Sequence, residues 1–127
     1  MSRERVLKFV MILAGLLFSA GIFPLVMSLW QWRHSDDTVP MFLSLYVTLG
    51  VFLLTAVRNP AEHRSVISFT AWSSFAHAAV MLVQAYNNVA GRPELYGMSA
   101  ILCAIGVPLI ALAPEKRSIG LAAAPAN

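Results

Sequence analysis

The sequence predicts an all-α fold, an antiparallel transmembrane four-helix bundle, and three observations carry that prediction. All fifteen charged side chains of the 127-residue chain fall outside four windows, 9–32, 38–57, 65–91 and 95–114. The windows are 24, 20, 27 and 20 residues long, and about 20 helical residues cross a hydrocarbon core of ~30 Å. The connections between them are short, and basic residues alternate from one connection to the next. Expected helices run over about 5–30, 40–57, 60–86 and 94–113, as a single domain over 1–118. The tail 119–127 carries no charge and little to pack, and is expected to be disordered.

Composition excludes the main alternatives. The chain is 58% hydrophobic and 12% charged, against roughly 45–50% apolar and about 25% charged in soluble domains. A water-soluble fold would lack polar surface to cover such a core. The net charge of +3 does not indicate nucleic-acid binding, because the basic residues sit where topology places them. Arg3, Arg5 and Lys8 precede the first window, Arg58 and Arg64 lie in the second connection, and Lys116 and Arg117 follow the fourth window. The first and third connections hold only Arg33 and Arg92, beside Asp36, Asp37 and Glu94. This is the positive-inside pattern, and it predicts a multi-pass protein of a bacterial cytoplasmic membrane with both termini cytoplasmic. The lone Cys103 permits no intramolecular disulfide and reads as a small buried hydrophobe. The first window is too long for a secretory signal and runs on through Pro24 to Trp30, which predicts a retained span.

Each element has local reasons. In the first helix, Gly15 and Ser19 form a small-xxx-small pair that lets another helix approach, and Pro24 predicts a kink near the far end. Trp30 and Trp32 suit a water–lipid boundary. Asp36, Asp37 and Thr38 before Pro40 can cap the second helix, which carries Ser44, Thr48 and Thr55. Asn59, Pro60 and Glu62 have the chemistry of a capping box, predicting that the third helix starts at Pro60. Gly91 and Pro93 break the chain before the fourth helix, which should bend at Pro108 and stop at Pro114. Ala71, Ala78 and Ala79, and Ala100 with Ala104, offer small-residue faces for association within or between chains.

The third helix is the unusual one. Thr70, Ser73, Ser74, His77 and Gln84 lie within its apolar span, and His63, Thr70, His77 and Gln84 recur every seven residues. That spacing keeps them on one slowly drifting stripe, which should face protein or water because lipid cannot satisfy it. His77 lies near mid-span, where an ionisable residue is a candidate site for a proton or ligand. Its structural alternative is packing, with a neutral imidazole donating to Thr48 or Ser44 of a neighbouring helix. Haem ligation would need a dimer that brings two copies of His77 together, since His63 is about 21 Å away along the axis. His34, Asp36 and Asp37 read as a solvated capping segment rather than a metal site. No catalytic, metal or cofactor motif stands out, and no intramembrane acid suggests a proton-coupled transporter.

The stretch Asn59-Pro60-x-x-His63-Arg64-Ser65, followed by Phe69-Thr70-Ala71-Trp72-Ser73-Ser74-Phe75-x-His77-Ala78, resembles a small bacterial family of four-span membrane proteins of unknown function. More distantly, the architecture is similar to DoxX-like four-helix proteins, some of which accompany quinol oxidation; that likeness rests on topology, and fold does not fix function. The expected role is a non-enzymatic accessory subunit or self-associating bundle, with the lipid bilayer and a membrane protein or second copy as partners. A small-molecule binder or transporter using the His77 stripe is the alternative, and a quinone-linked redox subunit the third.

Overall fold

In the computed structural model, residues 2–30 and 38–115 are described. They form α1 (Arg3–Ala20), α2 (Ile22–Trp30), α3 (Thr38–Ala56), α4 (Arg64–Asn87) and α5 (Arg92–Leu112), with no strand among them. Four helical stretches are long and apolar enough to cross a membrane: Arg3–Trp30, Thr38–Ala56, Arg64–Asn87 and Arg92–Leu112. Only 17–28% of each apolar window is buried inside the protein. Side chains as large as Phe23, Leu45, Phe69 and Trp72 stand exposed along the helices, an arrangement suited to lipid and ruinous in water.

The first stretch divides one turn before its proline. Ser2 caps α1 by accepting from the Arg5 backbone N–H at 3.4 Å, and Glu4 pairs with Lys8 at 2.8 Å in the favourable order along the helix. The break comes at Gly21, with α2 resuming at Ile22. Pro24 has no N–H to give the Ala20 carbonyl, and its ring crowds that same oxygen. As the third residue of α2, Pro24 occupies a first turn where no N–H is needed.

The start of α4 corrects the sequence reading. The helix begins at Arg64, not Pro60, with His63 as N-cap and no side-chain cap bond. The expected capping box of Asn59, Pro60 and Glu62 does not form; the Glu62 N–H donates to the Asn59 backbone carbonyl at 3.2 Å, and the chain turns once before the helix starts. Pro60 is buried, and lines a hollow together with Arg3, Glu4 and Leu7 of α1.

At the opposite end, Arg92 ties the α4–α5 turn by donating from Nε to Ala85 O (2.9 Å) and from Nη2 to Tyr86 O (3.3 Å). Both acceptors are late carbonyls of α4 that its own helix leaves open. Pro93 lies in the first turn of α5, and the helix then runs through Pro108 to Leu112.

Two core clusters divide the molecule. One holds Leu7, Met11 and Ala14 of α1, Leu53 and Ala56 of α3, Ile67 and Ala71 of α4, and Leu109 of α5. It joins the beginning of α1, the end of α3, the beginning of α4 and the end of α5. Arg3 closes that end by donating to Ala111 O and Ala113 O at 3.1 and 3.3 Å. The second cluster is smaller, built on Phe18, Ala78 and Leu102 with Tyr46, Leu49 and Met81 around them.

Small residues set the close crossings. A Cβ on Gly50 of α3 would come within 2.7 Å of Ser19 N and 2.8 Å of Gly15 O, so the Gly15/Ser19 pair receives Gly50 backbone to backbone. On α4, Ala71, Ala78 and Ala85 are buried every seven residues, and a Cβ on Gly106 of α5 would meet Ala71 O at 3.2 Å. Ala79, Ala100 and Ala104 are instead exposed. The α4–α5 interface is the most extensive, α1–α3 next, and α3–α4 the slightest of the substantial contacts. A ring of helices that is tight on its other sides is open along that seam.

Candidate functional site

The hydroxyls of the polar stripe are satisfied within their own helix. Thr70 Oγ1 donates to Val66 O at 2.8 Å, and Ser73 and Ser74 both donate to Thr70 O, at 3.1 and 2.7 Å. Such back-bonding lets a hydroxyl lie in an apolar helix without another partner. On α3, Ser44 donates to Met41 O at 2.6 Å and Thr48 to Ser44 O at 2.8 Å. The interhelical bond expected from His77 to Ser44 or Thr48 is absent; both hydroxyls donate to carbonyls of α3, and the imidazole packs against rings instead. Thr70 and Ser74 are buried, Ser73 is half-buried, and Ser44, Thr48 and Gln84 are exposed. Along the heptad line Thr70, His77 and Gln84 burial falls from buried through half-buried to exposed, so the stripe disperses, while the adjacent line Ala71, Ala78 and Ala85 stays buried.

His77 is left with a different environment. Its ring stacks on Phe42 with centroids 4.6 Å apart and an interplanar angle of 26°, and lies 5.5 Å from the ring of Tyr46. Phe42 and Tyr46 are themselves 4.7 Å apart, and Tyr46 meets Phe18 edge-on at 5.1 Å. Three helices thus contribute to one aromatic group, with Phe18 from α1, Phe42 and Tyr46 from α3, and His77 from α4. Phe42 and Tyr46 are four residues apart, which places both rings on one face of α3. No protein hydrogen bond among the described residues reaches the His77 imidazole or the Tyr46 hydroxyl.

This group borders a cavity of about 240 Å³ between α1, α3, α4 and α5, whose remaining wall is apolar and includes Met81, Met98 and Leu102. A hollow of about 600 Å³ opens along the α3–α4 seam on the other side of Phe42 and Tyr46, which line both spaces. Thr48 and Ser73 border the seam; Gln84 borders neither space. Another hollow, about 400 Å³, lies at the far end between Arg3, Glu4, Asn59 and Glu115. Those four side chains are exposed, and nothing there confines a ligand from water.

Among the described residues no three His, Cys, Asp or Glu side chains gather where they could hold a metal ion. His34, Asp36, Asp37 and Trp32 lie outside the described residues, as does the tail from 119. Trp30, at the end of α2, is exposed. Cys103 is half-buried against the second core cluster.

The aromatic partners of His77 escaped the sequence reading. The available signal was Phe42 and Tyr46 at i, i+4 in the first half of α3, whose rings meet His77 in the second half of α4.

No curated protein and no solved structure matches the chain. A family model does match, across residues 2–127, and with four helices apt for a bilayer and no recognised chemistry attached, the chain belongs to the family of unknown function DUF6632.

Proposed function

We propose that this chain is an antiparallel four-helix integral membrane protein, with both termini on the cytoplasmic face of a bacterial membrane, that binds a small lipophilic molecule beside His77. One observation carries the reading: His77 and Tyr46 present an imidazole and a hydroxyl, unbonded by protein, to an otherwise apolar cavity of about 240 Å³. Polar groups withdrawn from water are costly without a partner, and a concave apolar site with a few convergent polar groups is the usual form of a ligand pocket. Its size suits a ring or a compact head group. The positive-inside distribution of Arg and Lys supports the orientation.

The test is comparative extraction. Wild-type protein and His77→Phe, purified in parallel in mild detergent, would be extracted into organic solvent and compared by mass spectrometry. A small molecule retained by the wild type and depleted from the variant is the expected result. Identical extracts, with both proteins folded, would refute the site.

A second reading has its own observation. On α5, Ala100 and Ala104 are exposed and a Cβ on Gly97 would meet nothing within 4 Å, so a small-residue face is turned outward where a second copy or partner helix could approach. Light scattering in detergent distinguishes it: Ala104→Leu should shift an oligomer towards monomer, and a wild-type monomer rules self-association out.

A further inference from the structure

The seam and the His77 cavity are neighbouring spaces. They share Phe42 and Tyr46, whose half-buried rings stand between the wider seam and the smaller His77 cavity. From Ser65, at one end of the seam, to His77 is twelve helical residues, about 18 Å. That length exceeds what a ring-sized ligand fills and matches an extended chain.

The lining restricts the chemistry further. Apart from His77, no ionisable group but the Tyr46 phenol borders either space. The hydroxyl protons of Thr48 and Ser73 are spent on Ser44 O and Thr70 O, so between the Tyr46 phenol and Ser65 at the seam's far end no free hydroxyl donor lines it. Phe52, Phe69 and Leu45 supply its walls. A convergent pair of polar groups, His77 and Tyr46, stands at one end, against the single Ser65 hydroxyl at the other. Arg64, whose Nη1 is buried and unpartnered among the described residues, is thirteen residues from His77, about 20 Å along the helix. A phosphate head at His77 would find no cation, and a phosphate at Arg64 would leave the His77 end without a polar guest.

We infer that the site takes a neutral single-chain amphiphile, with a compact head bearing a hydrogen-bonding oxygen at His77 and Tyr46 and its apolar chain lying along the α3–α4 seam. The inference rests on the ligand-binding reading above and adds the ligand class and its route. The slight α3–α4 contact admits the molecule sideways from the bilayer. The aromatic pair Phe42/Tyr46 marks the point where chain gives way to head, since an edge or face of a ring tolerates alkyl contact and the Tyr46 hydroxyl does not require removal from it.

The experiment is photo-crosslinking of the purified full-length protein with hexadecanol carrying a mid-chain diazirine, with adducts mapped by peptide mass spectrometry. Adducts should fall on seam residues of α3 and α4. Unlabelled hexadecanol should displace the probe and dioleoylphosphatidylglycerol should not. Ser73→Phe fills the seam from α4 and Leu45→Trp narrows it from an exposed position on α3; each should lower capture about tenfold or more, as should His77→Leu. Thermal melts of all variants establish that they fold, and Leu45→Trp keeps the test open if Ser73→Phe does not. Loss with His77→Leu but undiminished capture in both seam variants would overturn the seam as the chain's path while leaving the His77 site intact. Equal displacement by the phospholipid would overturn the neutral head. Capture indifferent to every variant would overturn the seam and the His77 site together.

Discussion

The two ends of the helix assembly are built on different principles. Around Leu53, Ile67 and Leu109 the core is aliphatic and closed, with these side chains at 0% exposure, and four helices meet there. Around His77 the buried cluster shrinks to Phe18, Ala78 and Leu102, the partners are rings, and a cavity remains. The same helices pass through both ends, so the difference is one of side chains. In lipid there is no hydrophobic gain from bringing two apolar helices together; close packing and hydrogen bonds must hold them. The closed end packs at that limit. The His77 end forgoes such packing and exposes two unbonded polar groups to a cavity, an arrangement that stability alone does not explain and that a guest would.

The largest way to break this comparison is at the crossing that holds the two ends in register. Gly50→Leu puts a side chain where the first added atom already lies 2.7–2.8 Å from Ser19 N and Gly15 O. Backbone atoms cannot swing away, so the cost belongs at the upper end for overpacking, about 3 kcal/mol. Reversible unfolding in mixed micelles should show the α1–α3 pair lost, with melting well below wild type. A stability within about 0.5 kcal/mol of wild type would mean that α1 and α3 are not held by this crossing.

Next comes the closed core itself. Leu53→Ala removes a fully buried side chain from the meeting point of the helices. In a soluble protein such truncations cost about 2–5 kcal/mol; here the transfer part is weakened because the exposed alternative is lipid rather than water, leaving mainly the lost contacts. About 2 kcal/mol is expected, read from the same unfolding titration. Met81→Ala at the cavity end is the matched control, and should cost less than half as much because its neighbourhood is already incompletely filled. Equal losses would erase the distinction between the two ends.

Much of this organisation was legible in the sequence, and the reasons are local. Uninterrupted apolar windows of membrane length give the spans, and the Gly15/Ser19 spacing gives a close approach, because small side chains are themselves the contact. What escaped depends on partners distant in the chain. Nothing near Gly50 announces that it lies under Ser19. The chemistry at Asn59, Pro60 and Glu62 suits a capping box, yet Pro60 is buried in a turn and α4 starts four residues later. His77 stood out as polar in an apolar span, but its neighbours were expected to be Ser44 or Thr48. Those hydroxyls donate within their own helix and the imidazole does not bond to them, an outcome that a pattern of polar residues does not foretell. Rings at Phe42 and Tyr46 take the imidazole instead.

His77→Phe sharpens the comparison by separating stability from binding. Phenylalanine keeps a ring that can stack on Phe42 and removes the ring nitrogens from a residue that lines the cavity. Unfolding free energy should change by less than about 1 kcal/mol, since aromatic pairs contribute about 0.5–1.5 kcal/mol and the pair survives. Retention of the lipophilic molecule should fall about tenfold or more. A large loss of stability with retention unchanged would assign His77 to packing and end its candidacy as a site.

The smallest effect tests whether side-chain hydrogen bonding contributes to the tight pair at all. Ser99 Oγ of α5 lies 3.3 Å from Ala78 O of α4 and 2.8 Å from Leu95 O of its own helix. The shorter contact is the one within α5, so the hydroxyl is already satisfied before α4 arrives. Ser99→Ala therefore removes little more than an interhelical contact of marginal length, about 0.6 kcal/mol on the scale measured for such bonds in membrane proteins. Ala also suits the close approach of α5 to Ala78, which offsets part of that loss. A drop above about 2 kcal/mol would exceed the largest value known for such bonds, and would mean that hydrogen bonding rather than small-residue packing at Ala71, Ala78 and Gly106 is what holds α4 against α5.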